Sequence, residues 1–145
     1  MSQISHWKLR PEIWQQVFES LIDSLNKVGK NRRDLLISFL LTPTEKVMIA
    51  KRMAAALLLE KGASYQDIYQ SVHLSPSTIA SIKNRLEENE KYRQLVKGLL
   101  SIRRIDDFFS KLAREFVKLG TYGKGNKFWR EIKRDLDREA RSKIL

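Results

Sequence analysis

Apolar residues recur at steps of three and four along almost the whole chain, and no sustained stretch shows the alternating step of a strand. That spacing lines up one face of a helix with about 3.6 residues per turn. Only six glycines and three prolines in 145 residues stand ready to interrupt it. The chain is therefore expected to be all-α, and its 42 % hydrophobic content is enough to bury a core. Trp14, Val17, Phe18, Leu21, Ile22 and Leu25 predict an amphipathic helix over Pro11 to Val28, with Pro11 tolerated in the first turn and Gly29 closing it. Leu35 to Leu41 is a short apolar segment expected to be buried on several sides. Thr42-Pro43-Thr44-Glu45 then joins a cap, a proline at the first helical position and the acid of a capping box. The helix it opens runs through Val47, Ala50, Met53, Ala54, Leu57 and Leu58 to Gly62, a left-handed terminator.

Ser64 with Asp67 three residues on is a second capping arrangement, opening a helix of about eight residues that ends near Val72. His73-Leu74 makes a tight connection, and Ser75-Pro76 starts another helix through Ile79, Ile82 and Leu86. From Tyr92 onward, Leu95, Leu99, Ile102, Ile105, Phe108, Phe109, Leu112 and Phe116 keep helical spacing, with room for an interruption. Gly120, Gly123 and Gly125 mark a break read as a flexible hinge, since the segment lacks the Gly-Lys-Ser/Thr ending of a phosphate loop. A final helix from about Asn126 shows Phe128, Ile132, Leu136 and Ala140 at steps of four.

Charge narrows the choice of partner. Twenty-eight Lys and Arg against 17 Asp and Glu leave +11, a field that favours a polyanion such as nucleic acid or an anionic membrane surface. The excess is uneven: residues 1–41 carry +2, residues 42–90 carry zero and residues 91–145 carry +9. Without cysteine there is no disulfide, thiolate nucleophile or zinc knuckle. The longest apolar runs, Phe39 to Leu41 and Met53 to Leu59, are too short to span a bilayer, and MSQISHWKLR carries no apolar signal segment. A cytoplasmic protein away from membranes is expected. An enzyme is not: His6 and His73 are isolated, and Asp106-Asp107 and Glu87-Glu88 are neighbours that diverge by about 100° on a helix. No metal or cofactor is expected.

The segment from Gln66 to Leu86 has the pattern of a helix-turn-helix. Ile68 and Val72, Leu74 in the turn, and Ile79 and Ile82 pack the pair together. Ser77, Ala80, Ser81 and Asn84 then fall on the opposite side of the second helix, a slim polar face suited to a major groove about 12 Å wide. Thr78, Lys83 and Arg85 flank it. Tyr69 and His73 stand where many such units carry a small residue and a glycine. The alternative is a helix-packing unit with no role in reading DNA.

With these residues in place, the chain resembles the tryptophan repressor family over roughly Trp14 to Leu100. The resemblance rests on a Trp-bearing first helix, Leu41-Thr42-Pro43-x-Glu45, Arg52 seven residues past Glu45, Gly62 at the helix end and the helix-turn-helix ending near Leu86. It implies an intertwined homodimer presenting two recognition helices to double-stranded DNA, with contacts at Gln66, Tyr69, Ser75, Pro76, Ser77, Thr78 and Ala80. It also implies a co-repressor pocket, which this sequence only half retains. Arg52 and Thr42 match the family, but Ser81 stands at the position of the second arginine and Ile82 at that of the glycine that leaves room for an indole. Ile82 is expected to fill the site, so tryptophan binding is not expected. Arg52 either keeps a ligand-site role or pairs with a carboxylate at the surface.

The division expected is a DNA-binding and dimerisation domain over 1–100 and a basic helical extension over 101–145, which has no counterpart in that family. Lys124, Lys127, Arg130, Lys133, Arg134, Arg138, Arg141 and Lys143 form a basic array interleaved with Phe128 and Trp129. Lys124, Lys127, Arg130, Lys133 and Arg134 are candidate phosphate contacts. The array reads equally as a solvated face whose apolar stripe docks on the core or on a second subunit. The expectation is thus a dimeric, sequence-specific DNA-binding transcriptional regulator. The rival is an RNA-binding, architectural or interaction module built on the extension. Replication initiators share a related helix-turn-helix in their DNA-binding domain.

Overall fold

The computed structural model describes residues 9–118 and 126–144. In chain order the helices are α1 (Pro11–Lys27), α2 (Lys30–Leu40), α3 (Pro43–Glu60), α4 (Tyr65–Val72), α5 (Pro76–Glu88), α6 (Glu90–Leu99), α7 (Arg103–Lys118) and α8 (Asn126–Ser142). No strand occurs among the described residues, as the helical spacing required. The glycine-rich break at 120–125 lies outside them. No helix among them is long and apolar enough to cross a membrane.

The chain divides into two compact units, Met1–Val47 and Met48–Leu145. In the first, α1 closes at Val28, whose amide donates to the Ser24 carbonyl at 3.0 Å, and Gly29 at φ +69° turns the chain into α2. Only glycine adopts that backbone without a steric cost, which is why the chain breaks there. Arg33 Nε donates to the Leu25 carbonyl at 2.8 Å and ties α2 to the end of α1. Neither helix contains a buried residue. The expectation that Leu35 to Leu41 is buried is therefore corrected: Leu35 is 64 % and Phe39 83 % exposed. A helix apolar on several sides needs a cover on each side, and α1, its partner in the first unit, contains no buried residue either.

Thr42 and Glu45 form the reciprocal cap that opens α3. The Glu45 amide donates to Thr42 Oγ1 at 3.2 Å, while the Thr42 amide and hydroxyl donate to Glu45 Oε2 at 2.8 and 2.9 Å. These two donors favour the ionised carboxylate and hold the Glu45 carboxyl below its ordinary value, the backbone amide contributing most. Because the folded value is the lower one, the stabilisation is complete above the ordinary glutamate pKa and is lost as pH falls through the folded value. An acid titration of helicity should accordingly be shallower for Glu45→Gln than for the parent chain; superimposable curves would remove the cap from the account.

The second unit holds the core. Ala54, Ala55, Leu57 and Leu58 of α3 meet Ile68 and Val72 of α4, Ile79 and Leu86 of α5, Val96 of α6, Ile105, Phe109 and Ala113 of α7 and Trp129 of α8 in one buried cluster. Each large side chain taken fully from water contributes about 1.5–3 kcal/mol, so this cluster is the main source of stability here. α3 ends at Gly62, φ +89°, where the amide of Ala63 reaches the Leu58 carbonyl and that of Gly62 the Leu59 carbonyl, both at 3.0 Å. This is the double bond of a left-handed terminator. Just before it, Glu60 takes Arg93 at 3.4 Å and Lys97 at 3.7 Å, fastening the end of α3 to α6.

The apolar run from Tyr92 is two helices, not one. Ser101 Oγ donates to the Gly98 carbonyl at 2.7 Å, and Gly98 itself weakens the helix, so α6 gives way at Leu100 and α7 restarts at Arg103. α7 and α8 pack side by side, Asp106 of α7 sharing one crevice with Asp135 and Glu139 of α8 and Arg114 another with Lys133 and Asp137. Their seam is aromatic: Phe128 meets Trp129 edge-on at 5.0 Å, Phe108 lies 5.4 Å from Phe109, and the Lys61 ammonium sits 5.7 Å from the Phe109 ring.

Candidate nucleic-acid interface

α4 and α5 owe their placement to local chemistry at both starts and at the turn between them. Ser64 Oγ accepts from the Asp67 amide at 3.1 Å, and Asp67 Oδ2 accepts from the Ser64 amide at 3.0 Å and hydroxyl at 2.8 Å. Asp67 is buried, and those bonds satisfy it. A cap of this type contributes about 1 kcal/mol, a large share for a helix of eight residues. His73 ends α4 at φ 57°, ψ 49°, and its amide donates to the Tyr69 carbonyl at 3.0 Å. The left-handed turn that glycine commonly supplies is thus made here by a histidine. Ser75 opens α5, accepting from the Thr78 amide at 3.3 Å and sharing hydrogen bonds with the Ser77 and Thr78 hydroxyls at 3.1 and 2.9 Å.

Burial then sorts the faces of the pair. Ile68, Val72, Ile79 and Leu86 are buried, with Leu74 and Ile82 packed against them, as the apolar pattern required. Gln66 and Tyr69 on α4 are exposed, and so are Ser75, Pro76, Ser77, Ser81 and Asn84 at and along α5, while Thr78 and Ala80 are half-buried. The exposed face of α5 is therefore narrow and hydrogen-bonding over its first three turns, the form a helix needs to enter a major groove. Lys83 and Arg85 stand to either side. The Lys83 ammonium lies 3.8 Å from Glu87 and 5.6 Å from the Tyr65 ring, and the Arg85 guanidinium lies over Tyr92 at 5.5 Å. Such exposed pairs are worth little and yield readily to a phosphate.

Helical spacing also carries Glu88 onto the face of Ser77, Ser81 and Asn84, a residue the motif reading left as plain surface charge. A wheel extended one turn would have found it. Residues 64–89 hold two basic and three acidic side chains, a net charge of −1. The helix pair thus joins a narrow polar face to a net negative charge.

The residues set against a co-repressor pocket fall in both units. Thr42 belongs to the first, where it caps α3. In the second, Arg52 and Ser81 are exposed, and Ile82 packs on the core cluster. No group of His, Cys, Asp and Glu suited to a metal ion occurs among the described residues. Of the candidate phosphate contacts, Lys124 lies outside the described residues and Lys127 is in the first turn of α8. Arg130, Lys133 and Arg134 are exposed on α8, whose apolar stripe docks on the core through Trp129 at 3 % exposure. A docked apolar stripe and a solvated basic face thus occur together on α8.

A family model described as Trp repressor protein matches residues 12–100, which takes in α2 to α6 and nearly all of α1. The chain belongs to the Trp repressor family. No curated protein and no solved structure matches it. The Trp repressor family is one of DNA-binding regulators and not of enzymes. α7 and α8 lie beyond the matched residues.

Proposed function

We propose that this Trp repressor family member is a dimeric, sequence-specific double-stranded DNA-binding transcriptional regulator that does not respond to tryptophan. The observation that carries the reading is the narrow polar face of α5, held at its amino-terminal end by the Ser75 cap and backed by Ile79 and Leu86. Ser77, Ser81 and Asn84 read base edges, Gln66, Tyr69, Ser75, Pro76, Thr78 and Ala80 border the groove, and Lys83 and Arg85 reach for its phosphates. Residues 1–100 form the reading and dimerising part, and residues 101–145 add a basic helical extension whose Lys124, Lys127, Arg130, Lys133 and Arg134 contribute backbone contacts. The protein works in the cytoplasm.

Two features support the dimer and the lost response. Ile13, Trp14, Val17, Phe18 and Ile22 leave an apolar stripe of α1 in water, far more than a helix keeps exposed when it works alone. Ile82 packs on the core where the family keeps space for an indole, and Ser81 offers no cation for its carboxylate. Selection from a random duplex pool, with and without tryptophan, tests both. A palindrome with half-sites about one helical turn apart, enriched equally in both arms, is the expected result. Enrichment only with tryptophan would overturn the filled pocket, and tight binding without any motif would overturn sequence reading.

A further inference from the structure

We propose that the outer face of α8 is a second binding surface, a ridge of Arg130, Arg134, Arg138 and Arg141 that grips the backbone of duplex DNA irrespective of sequence. Trp129 is buried and Phe128 and Ile132 are packed on the core, which fixes the inward side of the helix. At about 100° per residue, the four arginines then gather within one quadrant on the opposite side. All four are exposed.

The carboxylates of α8 flank the ridge, Glu131 and Asp137 each about 20° beyond its edges and Asp135 and Glu139 further round. Glu131, Asp135 and Glu139 line a crevice of about 140 Å³ with Asp106 and Lys61, on one flank. Asp137 turns into a second crevice of about 100 Å³ with Arg114 and Lys133. Lys133, part of the basic array in sequence, is thereby set off the ridge. Asp135 reaches Arg138 at 4.0 Å between side chains 68 % and 81 % exposed, a contact too weak to occupy the arginine.

The ridge runs eleven residue steps, from Arg130 to Arg141, about 16 Å of helix. A duplex passes one phosphate charge per about 1.7 Å of its axis, so each guanidinium finds a phosphate without a fixed register. Arginine's planar fork meets phosphate oxygens two at a time, which a row of carboxylate-paired lysines would not do. The need for such a surface follows from α4 and α5, whose segment carries −1 and offers only Lys83 and Arg85 to the phosphates whose counterion release drives association. The inference rests on the DNA-binding reading only in taking duplex DNA as that polyanion.

The test compares the full chain with Arg130→Gln/Arg134→Gln/Arg138→Gln/Arg141→Gln, measuring Kd against salt on the selected duplex and on a random 30-base-pair duplex. The variant should lower the slope of log K against log salt by about 2–4, since each lost contact removes about 0.9. At 0.15 M salt that amounts to roughly 30- to 1,000-fold weaker binding on both duplexes, with the ratio between them unchanged. The corresponding four Arg→Lys changes should restore most of the slope. Should the quadruple Gln variant melt early, the pairs Arg130→Gln/Arg134→Gln and Arg138→Gln/Arg141→Gln should each remove about half of the effect. An unchanged slope overturns the ridge, and so does a loss confined to an A-form RNA duplex, which would assign the surface to RNA. If no duplex is ever selected, the reading by α5 fails, while the random duplex still decides the ridge.

Discussion

Asn84→Asp is expected to abolish discrimination between the selected duplex and a random one while leaving melting temperature and oligomeric state as they were. Asn84 is exposed in the middle of the α5 face, between Ser81 and Glu88 along the same side, so no core contact is lost. An aspartate there offers only acceptors, loses the paired donor and acceptor that read an adenine edge, and sets a charge among phosphates. One good base contact is worth about 1–3 kcal/mol, and repulsion adds to it, so a loss of about a hundredfold or more on the selected duplex is the expected scale. Ser77→Asp should act alike. It lies in the first turn of α5, where an acid suits the helix dipole, so a binding defect there cannot be blamed on unfolding. Equal losses on both duplexes for these variants would move the source of affinity from α5 to the extension.

If the proposed dimer forms through α1, Trp14→Glu with Phe18→Glu is expected to yield a monomer in sedimentation and to remove binding to a palindrome at nanomolar protein. The two rings lie 5.8 Å apart on α1, 56 % and 48 % exposed. Covering each gives about 1.5–3 kcal/mol, counted in both copies, and two charged replacements turn that gain into a desolvation cost. A monomer presents one α5 to one half-site, so the second half-site's contribution disappears entirely. Helicity of the second compact unit should persist, because its buried cluster contains no residue of α1. A double variant that remains dimeric would place the interface on other exposed apolar residues, Tyr92, Leu95 and Ile102 being the next candidates.

Helix starts were the most legible part of this fold because their chemistry is local. Thr42-Pro43-x-Glu45, Ser64-x-x-Asp67 and Ser75-Pro76 each put cap, proline or acid within four residues, and every one opens a helix where the pattern placed it. The inward faces of α4 and α5 followed from spacing alone. Leu35 to Leu41 did not, since apolar character says that a side chain seeks cover without saying whose. The α6–α7 break was only half legible, resting on a hydroxyl–carbonyl bond between Ser101 and Gly98 that the apolar spacing runs straight through. At the site, the polar face of α5 could be read from a wheel, whereas the stacking of Arg85 on Tyr92 joins two helices and required their packing. The ridge on α8 needed Trp129 to be seen buried before its outward direction had meaning.

His73 restricts which descendants of this chain can survive. Its backbone sits at φ 57°, ψ 49°, so the turn selects for residues that accept left-handed torsion independently of anything their side chains touch. Glycine, asparagine and aspartate are open to drift at this position, while valine and isoleucine are closed by the bulk at their Cβ. The corner between α4 and α5 is therefore held by a torsion as well as by the packing of Ile68, Val72 and Ile79.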